Sequence, residues 1–333
     1  MKTQPLTARR TIVVTASLLI MLAMVSLVSL SIGSVPVPAS HVFGALVGSD
    51  GIPDAERLII TDLRLPRVVL AIVVGAGLSV AGLVFQALLR NPLAEPYILG
   101  ISSGGTVGAV MAMSASTGST LLTTPLASFA GSSGVMLLVY GLAHRRGRLD
   151  PSTLLLSGVM IGAFFNALLL LIVAVFSQET RSAFLWLMGN LSTATLPAVA
   201  VIGPPVLLVS FLLFWYAKGF NLIATGEEAA LQLGVNVPFL KKASYLLASL
   251  ITGLVVSVSG VVGFVGLIIP HICRMLFGPD HRLLLPASFL LGAIFLVGAD
   301  LLARTVIAPT EIPVGAVTAA IGAPVFIYLL RKV

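Results

Sequence analysis

The stretch KGFNLIATGEEAALQLGVNVPFLKK, Lys218 to Lys242, interrupts a chain that is otherwise apolar enough to sit in a membrane. Within it, Thr225-Gly226-Glu227-Glu228 has the form of a capping box. The Thr225 hydroxyl would accept from the backbone N–H three residues on, and Glu228 would reach back to the N–H of Thr225. Gly234 suits a helix C-terminus, and Pro238 stops the helix from restarting before it. The spacing predicts a helix of about two turns over residues 226–233, carrying Ala229, Ala230, Leu231 and Leu233. A helix so short is unstable alone in water. It must pack on its own membrane domain, on lipid, or on another protein.

The rest of the chain is read outward from this break. Of 333 residues, 58% are hydrophobic and 9% are charged, against about 25% charged in a soluble domain. The composition is that of an all-α polytopic membrane protein. Apolar runs of spanning length fall at 11–32, 66–89, 95–115, 121–142, 153–176, 196–216, 243–262, 264–277, 284–303 and 314–330. That makes about ten transmembrane helices in one membrane domain covering 1–333, with 218–242 as a polar segment inside it. The run 264–277 is short, contains Pro270 and reads as a half-helix. Residues Arg181 to Asn190, with Trp186, read as a small interfacial helix. Lys2, Arg9 and Arg10 precede a first apolar run longer than a signal-peptide core and without a small-residue cleavage site, so it reads as an uncleaved span.

Orientation follows from lysine and arginine. With the N-terminus inside, the cytoplasmic side holds 14 of them and the outside holds 5 (Arg57, Arg64, Arg67, Arg181, Arg304), which sum to the 19 present. The net charge of +7 is therefore topological and does not indicate nucleic acid. Both termini and the 218–242 stretch fall on the cytoplasmic side. The blocks 66–176 and 243–330 each hold four spans and start on opposite sides, the arrangement of an inverted repeat.

The spans carry little chemistry. The single Cys273 excludes an internal disulfide and a cysteine metal cluster. The four histidines, His41, His144, His271 and His281, have no i,i+3 or i,i+4 pairing, so no metal site is expected. No phosphate-cradling loop is present, and no nucleophile elbow or paired intramembrane aspartates mark a catalytic residue. Asp300 and Arg304 are spaced to pair on one helix face. Gly100, Gly104 and Gly108 recur every four residues, which suits close helix packing or the backbone lining of a permeation path. Gly100, Ser102, Ser103, Gly104 and the uncharged polar Asn166 are the candidate path residues.

Several segments together resemble one family. They are Arg64-Leu65-Pro66-Arg67, then Asn91-Pro92-Leu93-Ala94-Glu95-Pro96 running into Gly100-Ile101-Ser102-Ser103-Gly104, and Gly263-Phe264-Val265-Gly266-Leu267-Ile268-Ile269-Pro270-His271 with Arg274. Supporting them are Glu228-Ala229-Ala230 with Leu233-Gly234-Val235, and Pro313-Val314-Gly315-Ala316 with Gly322-Ala323-Pro324. From about residue 60 onward the chain resembles permease subunits of the FecCD/BtuC type, the membrane part of ATP-driven importers for vitamin B12, ferric siderophores and haem.

The resemblance implies a type II ABC importer permease that forms a homodimer in the bacterial or archaeal cytoplasmic (inner) membrane, with the path at the two-fold axis. It implies two cytoplasmic ATPase subunits that carry the ATP–Mg, and a periplasmic or lipid-anchored binding protein above. The permease itself is then not an enzyme and holds no cofactor. The coupling segment maps onto residues 222–237, with Thr225, Glu227, Glu228, Ala229, Leu231, Leu233 and Gly234 as candidate ATPase-coupling residues. Outward arginines that meet the binding protein map onto Arg64, Arg67 and Arg304. Two other classes are carried beside this one: an ion-coupled secondary carrier working without an ATPase, and a structural membrane scaffold.

Overall fold

The computed structural model describes residues 7–49, 51–115, 123–145, 148–175, 184 and 186–330. Every one of the ten apolar runs contains a helix. They are α1 (Ala8–Ser31), α4 (Leu65–Leu89), α5 (Ile101–Ala115), α6 (Thr123–Ala143), α7 (Pro151–Val175), α8 (Leu196–Trp215), α11 (Val237–Ser259), α12 (Val265–Phe277), α13 (His281–Thr305) and α14 (Val314–Leu330). Among the described residues, seven helices are long and apolar enough to cross a membrane. Between α1 and α4 lie α2 (Ala39–Val47) and α3 (Asp54–Leu58), and α3 runs through a π-helical turn, Ile59–Arg64, into α4. The polar stretch holds two short helices, α9 (Ala217–Ala224) and α10 (Glu227–Gln232). Among the described residues the only strand pairing is a two-residue ladder joining His144 to Leu149 and Arg145 to Arg148.

Helix α4 is the axis. It is buried along almost its whole length and packs on α11, α12 and α13. Glycine permits the closest crossings. A Cβ on Gly75 would stand 2.3 Å from the carbonyl oxygen of Gly292, and one on Gly82 would stand 2.0 Å from that of Gly266. The α5 glycines seat that helix on its neighbours in the same way. A Cβ on Gly104 would meet Gly131 O at 2.6 Å, and one on Gly108 would meet Ala127 O at 2.2 Å. By contrast α1 packs mainly on α13 and leaves most of its apolar surface exposed, which suits a lipid-facing helix.

The half-helix expectation is met by α12. It has 13 residues, about 20 Å of helix, too short for a hydrocarbon core of about 30 Å. It starts beside Gly82 of α4, seven residues before α4 ends, so its N-terminus lies about 10 Å along α4 from that helix's C-terminal end. The connection from α11 turns at Gly260 (φ 65°) and at Phe264, a non-glycine residue held at φ 68°. The interfacial helix expected over Arg181 to Asn190 falls partly outside the described residues, which include 184 and 186–190 of it. Its described end bonds inward: the Val261 N–H donates to Trp186 O (3.2 Å), and the Asn190 N–H donates to Ser259 O (2.8 Å).

At the other end of the chain's bundle, Asp280 caps α13. Its Oδ1 accepts from the Arg282 N–H (3.0 Å) and from Asn221 Nδ2 (2.8 Å), while Asn221 Oδ1 accepts from the His281 N–H (2.8 Å). The bonded Arg282 guanidinium holds the Asp280 carboxyl below the usual carboxylate range. This knot fastens α9 to the start of α13. Asp280→Ala is expected to lose about 1 kcal/mol of capping, read as a fall of about 2–4 °C in the thermal midpoint in detergent.

Candidate functional site

Two regions draw the candidate residues together, one at each end of the helices. The first is a cleft of about 280 Å³ lined by Arg64, Arg67, Arg304, Glu311, Gly33 and Val35, among others. Its geometry starts from α1. The last carbonyls of a helix have no partner within it and carry partial negative charge. Arg64 supplies that partner: its Nη1 donates to Leu30 O (2.6 Å) and Ser31 O (3.1 Å), and its Nη2 donates to Val35 O. Arg67, one turn later on α4, is taken by acids. Its Nε donates to both Asp300 oxygens (2.8 and 3.0 Å), and its Nη1 donates to Glu311 Oε2 (2.8 Å). Arg304 Nη2 donates to Ser29 O (2.7 Å) and Ser29 Oγ (2.6 Å), with its Nε 3.4 Å from Asp300 Oδ2.

The three arginines do converge, but they are only 6%, 7% and 5% exposed in this chain, and each is held by acceptors of the chain itself. Asp300 and Arg304 pair as their spacing predicted, yet the tighter partner of Asp300 is Arg67, 233 residues away. Three cations against two carboxylates (Asp300, Glu311) leave the cleft a formal charge of +1, from 3 − 2.

The second region is the polar stretch. The capping box does not form. Thr225 ends α9, and its hydroxyl donates to Leu222 O (2.8 Å). Gly226, at φ 127°, takes the N-cap place of α10 and offers no side-chain cap. Residue 226 has the conformation that only glycine tolerates well, and this turns Thr225 away from the N–H groups it was expected to bond. The far end closes as the sequence suggested. Gly234 sits at φ 83°, its N–H donates to Leu231 O (3.0 Å) and the Val235 N–H donates to Ala230 O (3.0 Å), which is a Schellman closure. Pro238 lies in the first turn of α11, which Asn236 caps by accepting from the Phe239 N–H (3.1 Å).

The faces of α10 separate the candidate residues. Ala230 is fully buried against the membrane domain, whereas Glu228, Leu231 and Leu233 are exposed. Glu227 points inward. Its Oε1 accepts from Lys241 Nζ (2.6 Å) and from Arg90 Nη2 (3.2 Å), and Lys241 is itself buried. Leu231 and Glu228 line one wall of a cleft of about 780 Å³, with Arg90, Asp150, Pro151 and Pro238 on the others. Leu231 on this short helix and Leu233 at its C-cap are both exposed.

Gly100, Ser102, Ser103 and Gly104 are buried, and Gly100 lies against Gly158 and Gly162 of α7, so these residues pack helices of one chain. Asn166 is exposed on α7. Glu95 escaped the sequence reading. Its carboxylate is buried and Oε1 accepts the Phe264 N–H at 2.5 Å. An acid in an otherwise apolar run was the available signal.

The profile of the FecCD transport family matches residues 19–332. The chain belongs to the FecCD transport family. It is 43% identical over 299 residues, 90% of its own length and 80% of the relative's, to the cobalamin import system permease protein BtuC of Halobacterium salinarum. It is 38% identical to the hemin transport system permease protein HmuU of Yersinia pestis, covering 93% and 94% of the two chains. With the Fe(3+) dicitrate permease FecD of Escherichia coli it shares 37% identity over 93% and 96%. A solved ABC transporter described as metal-chelate type, in an inward-facing conformation, superposes with a TM-score of 0.84 at 32% identity, covering 96% of this chain and 99% of that one. A FecCD protein is an integral membrane permease of an ABC importer, which agrees with a fold of apolar helices.

Proposed function

We propose that this FecCD permease moves a bulky metal chelate (a ferric siderophore, haem, or the corrinoid cobalamin) from a binding protein into the cytoplasm, driven by ATP hydrolysis on separate subunits. Residues 1–333 form one permease domain that works as a homodimer in the cytoplasmic (inner) membrane, with both termini inside. Residues 218–242 are its coupling segment. The observation that carries this reading is the exposure of Glu228 and Leu231 on α10 and of Leu233 at its C-cap, while buried Ala230 seats the helix on the membrane domain. Two cytoplasmic ATPase subunits seat on α10, and closure of their dimer moves it as a rigid body. The binding protein docks over the cleft of Arg64, Arg67 and Arg304, whose residual positive charge suits acidic side chains on its lobes.

Liposomes holding the permease, its ATPase and its binding protein provide the test, with cobalamin, haem and a ferric siderophore offered in turn. One of them is expected to be taken up, and only with ATP inside. Uptake by the permease alone on an ion gradient would overturn the reading. Leu231→Asp together with Leu233→Asp is expected to cut ATPase co-purification at least tenfold, since burying an unpaired carboxylate at an interface costs several kcal/mol. Unchanged co-purification would remove α10 from the interface.

A further inference from the structure

Residues 90–95 join two distant structures, and both ends of this loop are tied by carboxylates. At its start Arg90 ends α4 in the left-handed conformation (φ 48°), and its Nη2 meets Glu227 Oε1 of the coupling helix. That same oxygen takes the buried Lys241 at the start of α11. At its end Glu95 Oε1 accepts the Phe264 N–H, at the N-terminus of α12.

The loop between is cross-braced. The Asn91 N–H donates to Gln86 O (3.1 Å), the Ala94 N–H to Asn91 O (3.1 Å), and the Leu93 N–H to Asn91 Oδ1 (2.9 Å). Such an Asx-braced turn moves as one piece. Phe264 in turn is a residue that L side chains rarely allow at φ 68°, so its conformation persists only while its surroundings hold it. Its Cβ packs over Gly322 of α14, 2.6 Å from where a Cβ there would stand.

We infer that loop 90–95 is a rigid link carrying displacement of the coupling helix to the Gly260–Phe264 turn that precedes α12. Glu227 and Glu95 are its two fastenings and act as positioning residues. This rests on the reading of α10 as the coupling helix. When the ATPases move α10, Glu227 draws Arg90, the braced loop follows, and Glu95 shifts the strained turn that starts α12. The contacts supply a continuous path of bonded groups, and the test asks for the coupling that such a path must show.

The test uses the reconstituted complex with Arg90→Gln, which cuts the inner fastening, and Glu95→Ala, which cuts the outer one. Each is expected to lower uptake per ATP hydrolysed roughly tenfold, the size of effect seen when a coupling contact is removed, while the ATPase still co-purifies. The double variant is expected to be no worse than the worse single one, because both cut the same link. Glu95→Gln, which keeps an oxygen acceptor, is expected to retain most coupling. Losses that multiply in the double variant, or an unchanged coupling ratio in Glu95→Ala, would overturn the inference. If Glu95→Ala does not fold, Glu95→Asp shortens the reach and takes its place in the cycle. Failure of the underlying reading is separate: it shows as intact ATPase binding in the Leu231→Asp, Leu233→Asp protein.

Discussion

Asp300→Ala should be the most damaging truncation in the arginine cleft. Asp300 is almost wholly buried and serves two guanidinium groups, Arg67 through two bonds and Arg304 across 3.4 Å. Breaking a buried ion pair by removing one partner costs about 3–5 kcal/mol, because the remaining charge is left uncompensated. The expected loss is at the lower end of that range. Arg67 keeps Glu311, and Arg304 keeps both oxygens of Ser29. The loss appears as a fall in the thermal midpoint in detergent and in the yield of monodisperse protein. Glu311→Ala is the comparison. Its side chain is 40% exposed, so water replaces part of what it supplied, and the cost is expected near the value of about 1 kcal/mol or less for exposed pairs. Equal effects of the two would show that Asp300 is not the centre of the cluster.

Gly82→Ala should be nearly as severe, although it adds one methyl group. That carbon would lie 2.0 Å from Gly266 O and 2.5 Å from the Gly266 carbonyl and α carbons. All three are backbone atoms, so no rotamer change relieves the clash, and α4 and α12 must separate. Separation also strains the bonds by which Gln86 Nε2 donates to Gly266 O and Leu267 O, both 3.2 Å. Overpacking costs typically about 1–3 kcal/mol, and two weakened bonds add about 1 kcal/mol each, so a loss of about 3 kcal/mol or more is expected. Gly298→Ala on α13 should go the other way. Apart from its own helix backbone, no atom lies within 4 Å of its added carbon, and alanine gains about 1 kcal/mol over glycine inside a helix. Thermal midpoints of the two variants in the same detergent give the comparison. A similar sign in both would mean that the α4–α12 contact is not tight.

The helices were legible because a membrane rewards one simple property, a run of apolar residues of fixed length. Even the half-helix at 265–277 could be read, from its shortness and Pro270. The side-chain partners were not. Nothing local distinguishes an arginine that meets another protein from one that caps a helix of its own chain, and Arg64 finds its carbonyls 29 to 34 residues back. Asp300 and Arg304 were visible as a pair because they lie four apart, while Arg67 was invisible to Asp300 across 233 positions. The capping box failed for a local reason: its second residue, Gly226, adopts φ 127°, a freedom that a sequence pattern built on other residues does not anticipate. Within α10, periodicity placed Ala230 and Leu231 on the helix but could not say which way Glu227 would turn, because its partners come from two other segments.

The contact of Arg304 with Ser29 bears on how the chain is made. The two positions are 275 residues apart, which at about 5–20 residues per second is roughly 15–55 s of synthesis. Arg64 emerges within seconds of α1 and can seal its terminal carbonyls at once. The neighbour that α1 packs on, α13, follows it by about 250 residues, so α1 has its Arg64 bonds well before Arg304 can reach Ser29.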